Sequence, residues 1–354
     1  MEAGQALTTL RKAALKSLYY TGGHRLLAPL TQGVGAILML HQVTATERRN
    51  FDPNGPLRIS PEFLDQTIRL VRERGFETVS LDEAHRRMVD GDFERPFIVF
   101  TLDDGYRDNL EIAYPIFRKH EVPFCIYVPT SYADHEAELW WLTLEQVIRD
   151  VDEVSLKMDG SVRRFTTARD PEKVQAFHQI YTWLRRIDED QARGVVRELS
   201  RGLGRTGTEL ARSLLMGWEE LRRIAADPLC TIGAHTVGHY AIAKLSEARA
   251  RYEMEECLFR LERELGVRPR HFSYPYGSPD AAGPREFRLA RELGYRTAVT
   301  THKGVLFAEH SAHLTALPRL SINGDYEDPR FLSVLLSGAP FALLNGFRRV
   351  AVAG

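Results

Sequence analysis

Seven short apolar runs, each closed by polar or turn residues, constrain this chain more than any other feature. They read AILMLHQV (36–43), FIVFTLDDG (97–105), FCIYVPT (124–130), CTIGAHT (230–236), HFSYPYG (271–277), YRTAVTT (295–301) and ALPRLSI (316–322). Near-continuous apolar strands that alternate with helical patterns indicate a parallel sheet covered on its outer face. Repetition of this unit predicts an α/β fold, a distorted (β/α) barrel of about seven parallel strands. Helices are expected over 61–74, with Pro61 near the start and Gly75 past the end, over 108–120, and over 246–265 with Gly266 as the stop.

One stretch breaks the rhythm. About a hundred residues separate the third run from the fourth, too many for a single crossover. They contain ELWWLTLEQVIRD (138–150), two alternating stretches within 153–167 joined by Asp159-Gly160, and charged amphipathic helices at 171–187 and 188–203. Asp-Gly between alternating stretches is a hairpin signal. The expected organisation is a barrel over 36–325 with a helical insertion at about 137–220. A helical N-terminal extension (1–35) and a helical C-terminal tail (326–354) flank it.

The ends carry their own information. Residues 10–30 mix Arg11, Lys12, Lys16, His24 and Arg25 into an apolar pattern, unlike the unbroken core of a signal peptide. A helix docked on the barrel is the favoured reading, and a mildly basic face touching a membrane surface is the alternative. The segment 331–347 is apolar, but Gly338 and Pro340 interrupt it and it is too short to span a bilayer. A docked helical hairpin and a peripheral membrane contact both fit it. A cytoplasmic location is therefore expected, with association at a membrane surface left open and export as the alternative. The formal net charge of −1 offers no field to recruit nucleic acid, which is excluded as a partner. Cys125, Cys230 and Cys257 form no CxxC pair, which argues against a disulfide framework and favours a reducing compartment.

The polar residues are not scattered. His41, Asp103 with Asp104, His235 and Tyr276 each sit at or just past the end of a different apolar run. In a barrel of this kind the chemistry gathers at the C-terminal ends of the strands. In TLDDGY (101–106), two adjacent carboxylates end a strand and Gly105 lets the backbone turn away. Successive strand side chains point in opposite directions, so the two acids cannot share one job. Together in a cleft they would repel, and a cation would remove that cost for one and leave the other free as a base. His235 and His239 are spaced to lie on one face of a helical turn, where both imidazoles can reach a single metal ion. Ser273-Tyr274-Pro275-Tyr276-Gly277 closes another strand, with aromatic rings to wall a sugar site and a backbone N–H to hold an oxyanion. His41 fits three roles: a further metal ligand, a general acid or a satisfied core residue.

These motifs resemble those of the polysaccharide deacetylases of carbohydrate esterase family 4, which share the nodulation-type chitooligosaccharide deacetylase domain. TLDDG is similar to the family's TFDDG, and HTVGHYAIAKL to its H-[ST]-x-x-H-x-x-L pattern. SYPYG resembles the third motif of the exopolysaccharide-deacetylase branch. The resemblance runs by element order from about residue 36 to 322. It implies that Asp104, His235 and His239 bind a divalent metal, with zinc as the default and cobalt, nickel, iron or manganese as alternatives. It implies that Asp103 is the general base and that the Tyr276 N–H, in the turn made by Pro275, helps hold the oxyanion.

Two departures shape the rest. Many relatives carry an arginine where Ser273 stands, and Arg319 in ALPRL is the candidate replacement that orients Asp103. Many also carry a late Leu-x-His acid; here His41 takes that place, as in the branch resembling biofilm poly-N-acetylglucosamine deacetylases. His302 and His313 rank below it because neither closes its run as cleanly. The implied activity is metal-dependent hydrolysis of the acetamide of an N-acetylated saccharide, releasing acetate. The alternatives are O-deacetylation or another carbon–nitrogen hydrolysis on the same barrel and, further off, a non-catalytic carbohydrate-binding protein. Trp140 and Trp141 are read first as anchors of the insertion and second as a sugar-stacking wall.

Overall fold

The computed structural model describes residues 2–350; Met1 and residues 351–354, the outer ends of the two expected terminal extensions, lie outside the described residues. Each of the seven runs forms a strand: Gly35–Leu40, Phe97–Asp103, Phe124–Val128, Cys230–Ala234, His271–Ser273, Thr297–Lys303 and Leu317–Ser321. Every pairing among them is parallel. The ring closes where Gly35–Leu40 pairs with Phe97–Asp103, in register from Gly35 opposite Phe97 to Leu40 opposite Leu102. A closed distorted barrel of seven parallel strands is the result.

The runs are apolar throughout because both faces of each strand are buried. One parity, with Ile37, Val99, Cys125, Tyr127, Val299 and Leu317, packs into one cluster. The other parity, with Leu38, Phe100, Leu102 and Ile126, packs with the surrounding helices, including Phe63, Ile68, Leu258 and Leu261. Asp103 has the parity of Val99, and Arg319 that of Leu317, so alternation alone sends base and arginine to the same side.

The helices follow their end signals. Pro61–Glu73 is capped by the Ser60 hydroxyl, which accepts from the Phe63 N–H, and Glu247–Leu265 ends on Gly266 at φ 73°. The expected helix over 108–120 is instead a π-turn, Asn109–Ala113, leading into a short helix, Tyr114–Lys119. Pro115 has no N–H to donate back into the preceding turn, which therefore widens. The two-residue strand Glu77–Thr78, paired with Phe97 and Ile98, was too short for any periodicity to announce.

The insertion contains Trp140–Asp150, the hairpin Glu153–Met158 and Ser161–Thr166, and the helices Asp170–Leu184 and Glu189–Arg201. Asp159 (φ 49°) and Gly160 (φ 85°) are both left-handed, as a two-residue hairpin turn requires. Its core, with Trp140, Leu144, Ile148, Phe177 and Trp183, is shared with Phe51 and Tyr106 of the barrel. At the ends of the chain, Leu15 of the helix Glu2–Tyr20 packs on Phe331 and Val334 of Pro329–Leu336. Among the described residues no helix is long and apolar enough to cross a membrane.

Candidate active site

Asp103, Asp104, His41, His235, His239 and Tyr276 line one cleft of about 520 Å3 at the C-terminal ends of the strands. Asp103 is clamped by Arg319 in a two-pronged pair, Nη1 to Oδ1 at 2.8 Å and Nη2 to Oδ2 at 2.7 Å. The guanidinium is itself fixed by three more acceptors: the Thr300 carbonyl at 2.9 Å, the Ser273 hydroxyl at 3.1 Å and the Thr101 hydroxyl at 3.3 Å. Both side chains are almost fully buried. Burial alone would raise the Asp103 pKa, but the charge and hydrogen bonds of Arg319 more than offset it, with smaller help from His235 and His41. The result is a pKa of about 2. Ser273 thus accepts a hydrogen bond from the arginine that clamps Asp103.

Asp104 has the opposite environment. It sits at φ 78°, left-handed, and Gly105 follows at φ 70°, so the backbone turns and Asp104 faces the cleft beside Asp103. Burial, then the charge of Asp103, pushes its carboxyl well above the usual range. Its Oδ1 is buried with no hydrogen-bond partner. That oxygen lies 3.3 Å from His239 Nε2 and 3.6 Å from His235 Nε2. Burial lowers the pKa of both imidazoles, His235 to about 4 and His239 well below its ordinary value. At neutral pH both rings are therefore uncharged and these contacts are not ion pairs. His235 Nδ1–H donates to the Ser273 carbonyl at 2.6 Å, which leaves its Nε2 lone pair facing Asp104.

This donor set fits a divalent ion. Its three ligand atoms lie within 4.8 Å of one another. Two ligands about 2.0–2.1 Å from a tetrahedral ion stand about 3.3 Å apart, close to the spacing seen here. A buried acid with an orphaned oxygen between two neutral imidazoles is costly without a cation and stable with one.

The histidines converge by a route the sequence did not suggest. The HxxxH spacing predicts a helical turn, yet the segment is a loop in which Thr236 (φ 66°) and His239 (φ 57°) are left-handed, and the next long helix starts only at Glu247. The Glu253 carboxylate accepts from the N–H groups of Val237 and Gly238, at 3.0 and 2.8 Å, and the Thr236 hydroxyl from that of His239 at 2.9 Å. Those donors are drawn out of helical pairing. Of the eight non-glycine residues with positive φ among the described residues, four are Asp104, Thr236, His239 and Tyr276, so backbone strain concentrates at this site.

Tyr276 (φ 61°) is gripped on several sides. Its carbonyl accepts from the Thr301 hydroxyl at 2.7 Å, its hydroxyl accepts from Trp140 Nε1 at 2.9 Å, and Arg185 lies 3.6 Å over its ring. Pro275 is buried and is not among the residues lining the cleft. The His41 carbonyl accepts from Asn109 Nδ2 at 2.8 Å, which fixes the strand end that carries the imidazole. Burial lowers the His41 pKa, Asp103 partly restores it, and Arg319 lowers it further, so His41 is uncharged at rest. His302 and His313 do not line the cleft. Trp141 does, with its ring 5.2 Å from that of His239, whereas Trp140 braces Tyr276 and stacks on Tyr181. The tryptophan pair thus both anchors the insertion and walls the site. Leu57 and, from the insertion, Val174, Phe177 and Tyr181 complete that wall and were not singled out in the sequence.

Residues 90–298 match the family model described as polysaccharide deacetylase. YxkH of Bacillus subtilis (strain 168), whose name assigns it provisionally to the polysaccharide deacetylases, is 24% identical over 104 residues, or 29% of this chain. The match spans about a third of that relative, 34% of its length. Among solved structures, the Streptococcus pyogenes deacetylase PplD in complex with acetate superposes with a TM-score of 0.54 at 17% identity, covering 84% of this chain and 95% of that one. IcaB from Ammonifex degensii gives 0.52 at 18% identity, covering 85% and 97%. At such identities these two likenesses speak for the fold.

Proposed function

The chain belongs to the polysaccharide deacetylase family, and from that premise we propose that it is a metal-dependent de-N-acetylase. It acts on the acetamide of N-acetylglucosamine-type units in a poly-, oligo- or lipid-linked saccharide and releases acetate. The observation that carries this reading is the division of labour between two adjacent acids. Asp103 is held ionised by Arg319, and Asp104 is turned toward two neutral imidazoles.

Asp104, His235 and His239 would hold the metal, zinc by default. A bound divalent cation supplies Lewis acidity, polarising a carbonyl and lowering the pKa of water from about 15.7 toward 7. Asp103 accepts the proton of the attacking water, and the Arg319 clamp fixes the orientation of its carboxylate. The Tyr276 N–H, for which no acceptor is found among the described residues, is the donor that would meet the developing oxyanion. The proton that Asp103 acquires passes on to His41, which lines the same cleft. His41 then protonates the departing amine as the carbon–nitrogen bond breaks. Trp141, Phe177, Tyr181 and Leu57 offer apolar surface to the face of a pyranose and exclude water.

The test is acetate release by the purified chain from N-acetylglucosamine oligomers and from O-acetylated xylan. Release from the acetamide, at a kcat/KM at least about tenfold above that for the ester, is expected. Turnover of the ester alone would sink the amidase reading.

A further inference from the structure

The two ends of the chain share a charge pattern that the whole does not. Residues 8–32 and 329–350 hold Arg11, Lys12, Lys16, Arg25, Arg330, Arg348 and Arg349 and no Asp or Glu, in a chain of formal net charge −1, although Arg330 pairs with Asp328 just outside at 2.6 Å. The fold brings these ends together. The helices Gly23–Thr31 and Ala339–Leu344 pack against each other, and the Thr31 hydroxyl donates to the Ser337 carbonyl at 2.6 Å. Leu30 and Phe347 line one cavity of about 200 Å3 between this pair and the barrel.

Their outer faces are bare. Leu26 is 81% exposed, Leu344 78% and Leu30 69%, and Leu343 and Phe347 are each more than half exposed. Scattered exposed leucines are ordinary, but a group of five on adjoining elements with arginines at its rim marks an interaction surface. Arg25 and Arg348 are exposed beside it; Arg349 is there too but shares its charge with Glu309 at 3.0 Å.

We propose that this surface docks the protein on a bilayer rich in anionic lipid. The leucines and Phe347 enter the boundary between headgroups and acyl chains, and Arg25, Arg348 and Arg349 meet lipid phosphates. A second copy of the chain is a poor occupant. A two-fold contact would bring Arg25 and Arg348 of both copies, unpaired among the described residues, into one interface. None of the five apolar residues lines the cleft.

Co-sedimentation of the full chain with vesicles is the test, comparing phosphatidylcholine alone with phosphatidylcholine containing phosphatidylglycerol. Binding to the anionic vesicles is expected to be at least about tenfold tighter and to weaken as salt rises. The double variant Leu26→Glu with Leu344→Glu should lose about tenfold or more of that binding. Arg25→Glu with Arg348→Glu should do the same without altering apolar surface, which keeps the test sound should the leucine variant misfold. The circular-dichroism melts of the variants should match the parent. Absence of binding, or equal binding to both vesicles, overturns the proposal. So does self-association of the parent that the same substitutions abolish, which would assign the patch to a second copy.

Discussion

Asp103→Asn is expected to lower kcat for acetate release by about 10²–10⁴-fold, the usual contribution of a positioned general base. The substitution changes one atom and leaves an amide oxygen for Arg319, so the clamp loses its charge but keeps a hydrogen bond. The three residues proposed to hold the metal are untouched. Metal content by elemental analysis and the circular-dichroism spectrum should therefore match the parent while turnover collapses. Turnover within about threefold of the parent would show that another group takes the proton.

The largest effect on stability is expected from Arg319→Met. Removing the guanidinium leaves Asp103 buried without its partner, and breaking a buried pair from one side costs about 3–5 kcal/mol. The Ser273 and Thr101 hydroxyls and the Thr300 carbonyl lose a donor at the same time. Urea denaturation at neutral pH measures the loss. Its pH dependence has a definite sign. The folded pKa of Asp103, about 2, lies below the ordinary unfolded value of about 3.9, so the carboxylate stabilises the fold above that value and ceases to as pH falls through about 2. The stability gap between parent and variant should therefore be full at neutral pH and narrow under acid conditions. A gap that stays constant down to about pH 3 would contradict the pairing. Arg319→Lys should recover only part of the loss, because a point charge cannot make the two-pronged contact.

The barrel was legible because parallel strands buried on both faces leave continuous apolar runs, and all seven became strands. The main parts of the site were legible for a related reason: strand ends are where a barrel keeps its polar residues. Arg319 was reachable from its place in the last run, once Ser273 left Asp103 in need of a cation. What stayed hidden depends on contacts far apart in sequence. Nothing in HTVGH announces that Glu253 draws two of its N–H groups out of a helical turn. Val174, Phe177 and Tyr181 face the cleft, but an amphipathic helix shows the same periodicity whether its apolar stripe meets a core or a substrate. The terminal helices carried both readings from the start. The structure shows the docked face through Leu15, Phe331 and Val334, and it leaves Leu26 and Leu344 in solvent.

On the proposed mechanism, hydrolysis needs a metal at Asp104, His235 and His239. Acetate release from N-acetylglucosamine oligomers should be measured on one preparation as purified, after exhaustive chelation, and after adding back zinc or cobalt. Release is expected to stop when elemental analysis shows the metal gone, to return on add-back, and to fail to return in His239→Ala. Full turnover by protein verified to be metal-free would contradict that mechanism.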